Sequence, residues 1–362
     1  MKKNDKKCRG KMTTIGGQAL LEGIMMRGPS KTAVSVRVPS GVIETEYMEE
    51  YRIKDKIKFL GFPVIRGIVN YIESMKLGYK ALMLSADKAG IEEELSKEEV
   101  SEDSSEILTE EPVLDIIDEE ISDVVIVEEE IKTEEKPEKK KGSILFGIIM
   151  VISTVLGFAI AIVLFMALPT FIYNFLNKLV SSTASPDVLH SWKAVIEGII
   201  KMGIFILYLS LVTLMRDIKR VFQYHGAEHK AIFCYEAGEE LTVENIQKYK
   251  RFHPRCGTSF LIIMLIVAIV FEGALLVVFP ALSTYNALWV ALKIALIFPI
   301  CGCGYELIRI CGRFNNLFTK IVSSPGLWVQ RLTTKEPEDD MVSVAIEALK
   351  AVIPEDSNED NW

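Results

Sequence analysis

Between Phe222 and Ser259 the sequence gathers three of its four histidines, two of its six cysteines and the acid Glu228. On a helix, His225 and His229 stand four residues apart and Glu228 stands three from His225, so all three side chains leave one flank within reach of a single ion. The string is His-x-x-Glu-His. Two imidazoles suit a borderline divalent metal, Zn²⁺ above all, and a carboxylate set between them can take a proton from water on the ion. His253 and Cys256, beyond a short acidic segment, are candidates to complete the coordination sphere. Glu306 competes with His253 as third ligand, because hydrolases with this string draw one from a downstream glutamate. Arg255 or Arg27 could steady an anionic substrate or intermediate. Two plainer arrangements fit the same residues: a solvated, ion-paired helix face, and a closed structural site of the His3Cys type. A catalytic site differs from the latter in leaving one position open for water.

The elements that must position these groups are largely membrane elements. The 362-residue chain is 49% hydrophobic with a mean hydropathy of +0.26, yet 25% of its residues are charged. That combination points to membrane and soluble parts in series. Apolar segments near 144–168, 194–214, 260–279 and 288–303, the last continuing to about 310, predict four transmembrane helices. Lys139 to Lys141 precede the first; Arg216, Lys219 and Arg220 follow the second; Lys250, Arg251 and Arg255 precede the third; Arg309 and Arg313 follow the fourth. By the positive-inside rule these ends are cytoplasmic and both termini lie inside. The histidine-rich loop, 216–257, is then at the cytoplasmic membrane face, and His190 falls on the opposite side.

Within the spans Glu272 and Lys293 are costly unless paired, and their matching depths predict a pair across an antiparallel helix hairpin, as structural glue rather than an ion pathway. Cys301-Gly-Cys-Gly could bind a metal or cycle redox state, but small residues at a helix interface also serve close packing. The six cysteines lack the paired spacing of an extracellular disulfide framework.

Charge is unevenly spread. Between Ile91 and Glu135 there are 20 acidic residues against two lysines, a net −18, so the remainder of a chain totalling −8 carries +10. Residues 91–141 therefore read as an acidic, disordered linker. The N-terminus is basic but no apolar core of signal-peptide length follows it. Residues 11–86 predict an N-terminal α+β segment: a β-hairpin over 32–48 around Pro39-Ser-Gly41, then an amphipathic helix led by Pro63, packed in the site or lying in the membrane interface. The glycine-dense string from Ile15 to Pro29 predicts a packed turn with an internal Glu22 to Arg27 ion pair, or else a wall of the metal site. In the last segment, 324–362, a turn at Thr333-Thr-Lys-Glu-Pro precedes an amphipathic helix over 341–353, which needs a surface to pack on. The fold class expected is a mostly α membrane protein: a four-helix transmembrane region over 142–323 and a small cytosolic α+β body.

Four strings carry a resemblance: Gly-Gly-Gln-Ala-Leu-Leu-Glu-Gly-Ile-Met-Met-Arg-Gly-Pro (16–29), Tyr-His-Gly-Ala-Glu-His-Lys (224–230), His-Pro-Arg-Cys-Gly-Thr (253–258) and Leu-Thr-Thr-Lys-Glu-Pro (332–337). Together they resemble a family of uncharacterised bacterial multipass membrane proteins described only as predicted metal-dependent enzymes. The resemblance spans nearly the whole chain except the acidic linker. It implies a metal and a bacterial cell membrane, and supplies no substrate. The function expected is a membrane-embedded, metal-dependent hydrolase acting on a peptide or lipid-headgroup substrate. A scaffold with a structural His/Cys site and a small transporter are the alternatives. The bilayer is the expected partner, with no nucleic acid.

Overall fold

In the computed structural model, the described residues are 12–49, 58–90, 141–180, 192–314, 316–356 and 360. His190 and the acidic segment up to residue 140 lie outside them.

Strands β1 (Gly16–Leu20), β2 (Gly23–Arg27), β3 (Thr32–Arg37) and β4 (Ile43–Met48) form an antiparallel meander in the order β1-β2-β3-β4. The β3–β4 hairpin turns where Pro39-Ser-Gly41 predicts, with Gly41 at φ 85°. The preceding string is not a packed turn but a second hairpin. Leu21-Glu22 links β1 to β2, and Glu22 takes φ 50°. Its carboxylate does not reach Arg27. It receives Nε and Nη2 of Arg220 at 2.5 and 2.6 Å and the Tyr224 hydroxyl at 3.1 Å.

Strand alternation divides the apolar residues between two faces. Leu20, Met25, Val34 and Val36 pack on Leu77 and Ala81 of α1 (Ile65–Lys88). On the opposite face, Ile24, Met26 and Ala33 pack on α5 (Arg216–Glu236) and α10 (Asp339–Val352). α10 forms because its apolar residues recur at helical spacing behind Asp339 and Asp340 in the first turn. Met341, Val342, Ala345, Leu349 and Val352 are completely buried. The body is thus three layers, helix on sheet on helices.

Among the described residues four helices are long and apolar enough to cross a membrane: Ile152–Val180, Lys193–Val212, Gly257–Val278 and Asn286–Arg313. They mark a multipass membrane protein. The first runs as α2 (Lys141–Ile162), a π-helical turn (Val163–Ala167) and α3 (Leu168–Val180). Its continuation past Leu168 differs from the expected outer loop. The wide turn stands just before Pro169, whose missing N–H would break a regular ladder at that point. The others are α4 (Lys193–Val212), α7 (Gly257–Val278) and α8 (Asn286–Arg313). α6 (Val243–Gln247) and α9 (Leu317–Thr333) complete the set. α9 continues through Pro325, so the boundary expected at 324 falls inside a helix.

The intramembrane charges find partners, though not each other. Glu272 accepts from Lys201 at 2.9 Å, while Lys293 pairs with Glu197 and donates to Thr170 Oγ1 at 2.9 Å. Glu197 also receives the Trp289 indole N–H at 3.2 Å. Glu197 and Lys201 stand one turn apart on α4, so that helix supplies the opposite charge to both neighbours. The Cys301-Gly-Cys-Gly string sits where α8 meets Val64 at the head of α1 and Phe260 of α7, a packing role.

Candidate metal centre

α5 turns one flank to the core through Tyr224, Ala227, Ala231 and Ile232, which leaves His225, Glu228 and His229 on the flank facing a cavity of about 440 Å³. Each imidazole is oriented by a main-chain carbonyl. His225 Nδ1 donates to the Thr333 carbonyl at 2.9 Å, and His229 Nδ1 to the Arg251 carbonyl at 2.5 Å. A carbonyl oxygen can only accept, so each Nδ1 carries a proton, and in the neutral ring Nε2 is the nitrogen left to ligate. This is the outer-shell arrangement that fixes tautomer and ring angle in metal-binding histidines.

The carbonyl of Thr333 reaches His225 because the segment after α9 crosses directly over Gly226. A Cβ at that position would lie 2.0 Å from the Lys335 carbonyl. The Lys335 N–H then donates to the Phe222 carbonyl at 2.8 Å. Glu336 fastens the same crossing through Lys230 and Arg251, both at 2.6 Å.

The third group is Cys256, the N-cap of α7, whose sulfur receives the Thr258 N–H at 3.4 Å. It lies 3.1 Å from His225 Nε2, and the ligand atoms of His225, His229 and Cys256 all fall within 4.8 Å of one another. Burial opposes ionisation of the thiol, but the two imidazoles outweigh it and hold Cys256 well below the ordinary thiol range. The helix N-terminus acts in the same direction. Reciprocally, burial pulls His225 down, yet the adjacent thiolate lifts it to about 9.

Glu228 stands beside this trio, 4% exposed. Burial raises its pKa against the pull of the two imidazoles and of the Gly17 backbone. Its Oε2 has no hydrogen-bond partner among the described residues. The glycine is required there: a Cβ on Gly17 would lie 2.9 Å from Glu228 Cδ and 2.8 Å from the Met25 carbonyl.

Three other candidates are placed elsewhere. His253 stacks behind His229, with ring centroids 5.5 Å apart, and both its nitrogens face Arg255: Nδ1 the backbone N–H and Nε2 the guanidinium, each at 3.3 Å. It contributes no atom to the ligand group; burial, then the neighbouring cationic groups, keep it well below its ordinary pKa. Arg255 lines the cavity, but its guanidinium pairs with Glu236 and donates to the Thr13 carbonyl at 3.0 Å, so its charge is already neutralised. Glu306 is held at both oxygens by Arg66, at 2.6 and 2.5 Å, on the α1–α8 contact and away from the cavity.

Sequence reasoning does not find the carbonyls of Thr333 and Arg251, since every residue carries one. Gln330 is a further omission. It clamps the His253 loop by accepting that residue's N–H at 2.8 Å and donating to its carbonyl at 2.7 Å and to Ser259 Oγ at 2.9 Å. A completely buried glutamine on an amphipathic helix is its only signal.

Comparison with known proteins gives a family without an activity. Residues 62–355 match the family described as "Protein of unknown function (DUF1385)". The chain is 30% identical over 346 residues to "Uncharacterized protein YqhQ" of Bacillus subtilis (strain 168), which covers 93% of this chain and 92% of the relative. No solved structure matches. Neither description names a metal or an enzyme, so the metal-dependent character that the resemblance implied is not carried by them and is argued from the geometry alone. By the extent of the family match and of the full-length similarity, the chain belongs to the DUF1385 family.

Proposed function

We propose that this protein is a membrane-bound, metal-dependent hydrolase working at the cytoplasmic membrane face. The supporting observation is the double commitment of Nδ1 to carbonyls, at Thr333 and Arg251, which leaves Nε2 as the ligating nitrogen of each ring beside Cys256, whose sulfur lies 3.1 Å from that of His225. Two imidazoles and a thiolate are the donor set of a borderline divalent ion, Zn²⁺ foremost. Three protein ligands rather than four favour an open, catalytic site over a closed staple. When bound, such an ion supplies Lewis acidity and makes water a competent nucleophile at neutral pH.

The chain's own residues do the rest. Glu228 accepts the water's proton at Oε2, the oxygen left without a partner, and burial adjusts its basicity for that task. His225 and His229 hold the ion; Thr333 and Arg251 hold the histidines. The orientation follows from the cations that flank the spans on the side of α5, which the positive-inside rule places in the cytoplasm. A peptide bond or a lipid-headgroup ester is then within reach.

The test is elemental analysis of the purified full chain, with hydrolysis of peptide and lipid-ester probes measured alongside. About one zinc per chain is expected, lost in His225→Ala. Glu228→Gln keeps the ion and loses hydrolysis. Zinc retained in His225→Ala, or full hydrolysis in Glu228→Gln, would refute the reading.

A further inference from the structure

β1 has one paired edge and one open edge, and the open edge faces the candidate centre. Its register with β2 begins at Leu20↔Gly23 beside the two-residue turn and continues through Ala19↔Ile24, Gln18↔Met25, Gly17↔Met26 and Gly16↔Arg27. Residues flanking a two-residue turn exchange both hydrogen bonds, and pairs alternate from there. Leu20, Gln18 and Gly16 therefore turn their main-chain groups toward β2, while Ala19 and Gly17 turn theirs outward.

β1 is the terminal strand of the sheet, and Gly16 and Gly17 are exposed. Residues 16–19 line the same cavity as His225, His229, Cys256 and Glu228. Among the described residues no other backbone group pairs with Gly17 or Ala19. Three outward groups are thus on offer at strand spacing: the N–H and carbonyl of Ala19 and the carbonyl of Gly17.

We infer that the substrate is a polypeptide, bound extended as an added strand along the outer edge of β1, so that one of its amides passes Glu228. The inference rests on the hydrolase reading and deepens it by choosing between the two substrate classes. A row of alternating amides complements a strand edge, and a lipid headgroup has no such row. Nor does Arg255 offer a free charge to an anionic headgroup, since Glu236 neutralises it. In the reaction, water oxygen bonds to the amide carbon and the C–N bond breaks. Glu228 passes the water's proton to the departing amine, and one water is consumed per carboxyl and amine formed.

The experiment uses the full, zinc-loaded chain in lipid nanodiscs, with a proteome-derived peptide library and fluorogenic phospholipid esters as parallel probes. Hydrogen exchange over residues 15–20 in Glu228→Gln reads binding without turnover. Expected are cleavage of library peptides and slowed exchange at Ala19. In Ala19→Pro, which lacks the outward N–H but leaves the β2 ladder intact, kcat/KM on peptides should fall about tenfold with zinc content unchanged. Because proline could disturb the strand, N-methylated versions of a cleaved peptide repeat the test from the substrate side, and methylation at one alternating set of amides should give the same loss. Hydrolysis of the lipid esters with the library untouched and Ala19 unprotected would overturn the strand site and leave the hydrolase standing. Protection of Ala19 with neither probe hydrolysed would support the strand site and sink the hydrolase. Neither protection nor hydrolysis overturns both.

Discussion

Replacing Lys201 with methionine isolates the energetics of the buried charges. Lys201 Nζ lies 2.9 Å from Glu272 Oε1, with the two side chains 5% and 2% exposed. At that separation and an effective dielectric constant of about 20, Coulomb's law gives an attraction of about 6 kcal/mol, most of it offset by the cost of taking both ions out of water. Removing one partner forfeits the attraction but keeps the remaining ion buried, so Lys201→Met should cost roughly 3–5 kcal/mol. Glu272 is poorly placed to compensate, because its Oε2 already lacks a partner among the described residues. Replacing both, as Lys201→Met with Glu272→Leu, should recover most of that loss, since an apolar pair of similar volume is close to neutral. The assay is reversible denaturant unfolding in mixed micelles, read as a double-mutant cycle. The coupling of Glu272 to Lys201 should exceed its coupling to Lys293, which Glu197, Thr170 and the ring face of Trp289 already engage. A cost for Lys201→Met below about 1 kcal/mol, or a larger coupling to Lys293, would refute the pairing.

Four shorter predictions accompany it. Zinc content, measured by elemental analysis, should fall in His229→Ala and Cys256→Ser but hold in Glu306→Gln, whose carboxylate serves Arg66 instead. Gly17→Ala should depress hydrolysis more than zinc content, because the new methyl group meets Glu228 and not the ligands. Gln330→Ala strands the buried N–H and carbonyl of His253, so a loss of about 1–3 kcal/mol per orphaned group is expected in thermal melts. Burial pushes Glu22 up, but Arg220 and Tyr224 hold it below its ordinary 4.5. A depressed carboxylate stabilises the fold above its unfolded pKa and loses that contribution as pH falls through the folded value, so Glu22→Gln should flatten the acid limb of a stability profile below pH 4.5.

The centre was legible to the extent that rare residue types at fixed spacing define it. His225 and His229 share a flank by helical geometry alone, and Cys256 stands out because the chain has few cysteines. Direction was not legible. His253 and Glu306 have the right chemistry, but a backbone N–H and Arg66 respectively claim their polar atoms, and no local pattern reveals that. Long-range partners behave likewise: Glu22 passes over Arg27, five residues on, for Arg220. β1 was obscured by its two glycines, which weaken a strand pattern; at Gly17 the reason is that Glu228 fills the space a side chain would take. Glu197 and Lys201, by contrast, stand openly at helical spacing inside an apolar run, and attention to the second span alone yields the partners that Glu272 and Lys293 needed.

The crossing of residues 333–337 over Gly226 bears on how the protein matures. The core shared by β2, β3, α5 and α10 draws on residues from Ile15 to Val352, and the imidazole of His225 is steadied by a carbonyl 108 positions later. A ribosome delivers these parts in sequence, so the last pair of spans must be inserted and α9 released before His225 acquires its brace. On the proposed reading, capture of an ion would therefore be a late event in biogenesis, and a chain stalled or cleaved before Thr333 carries the histidines without the means to aim them.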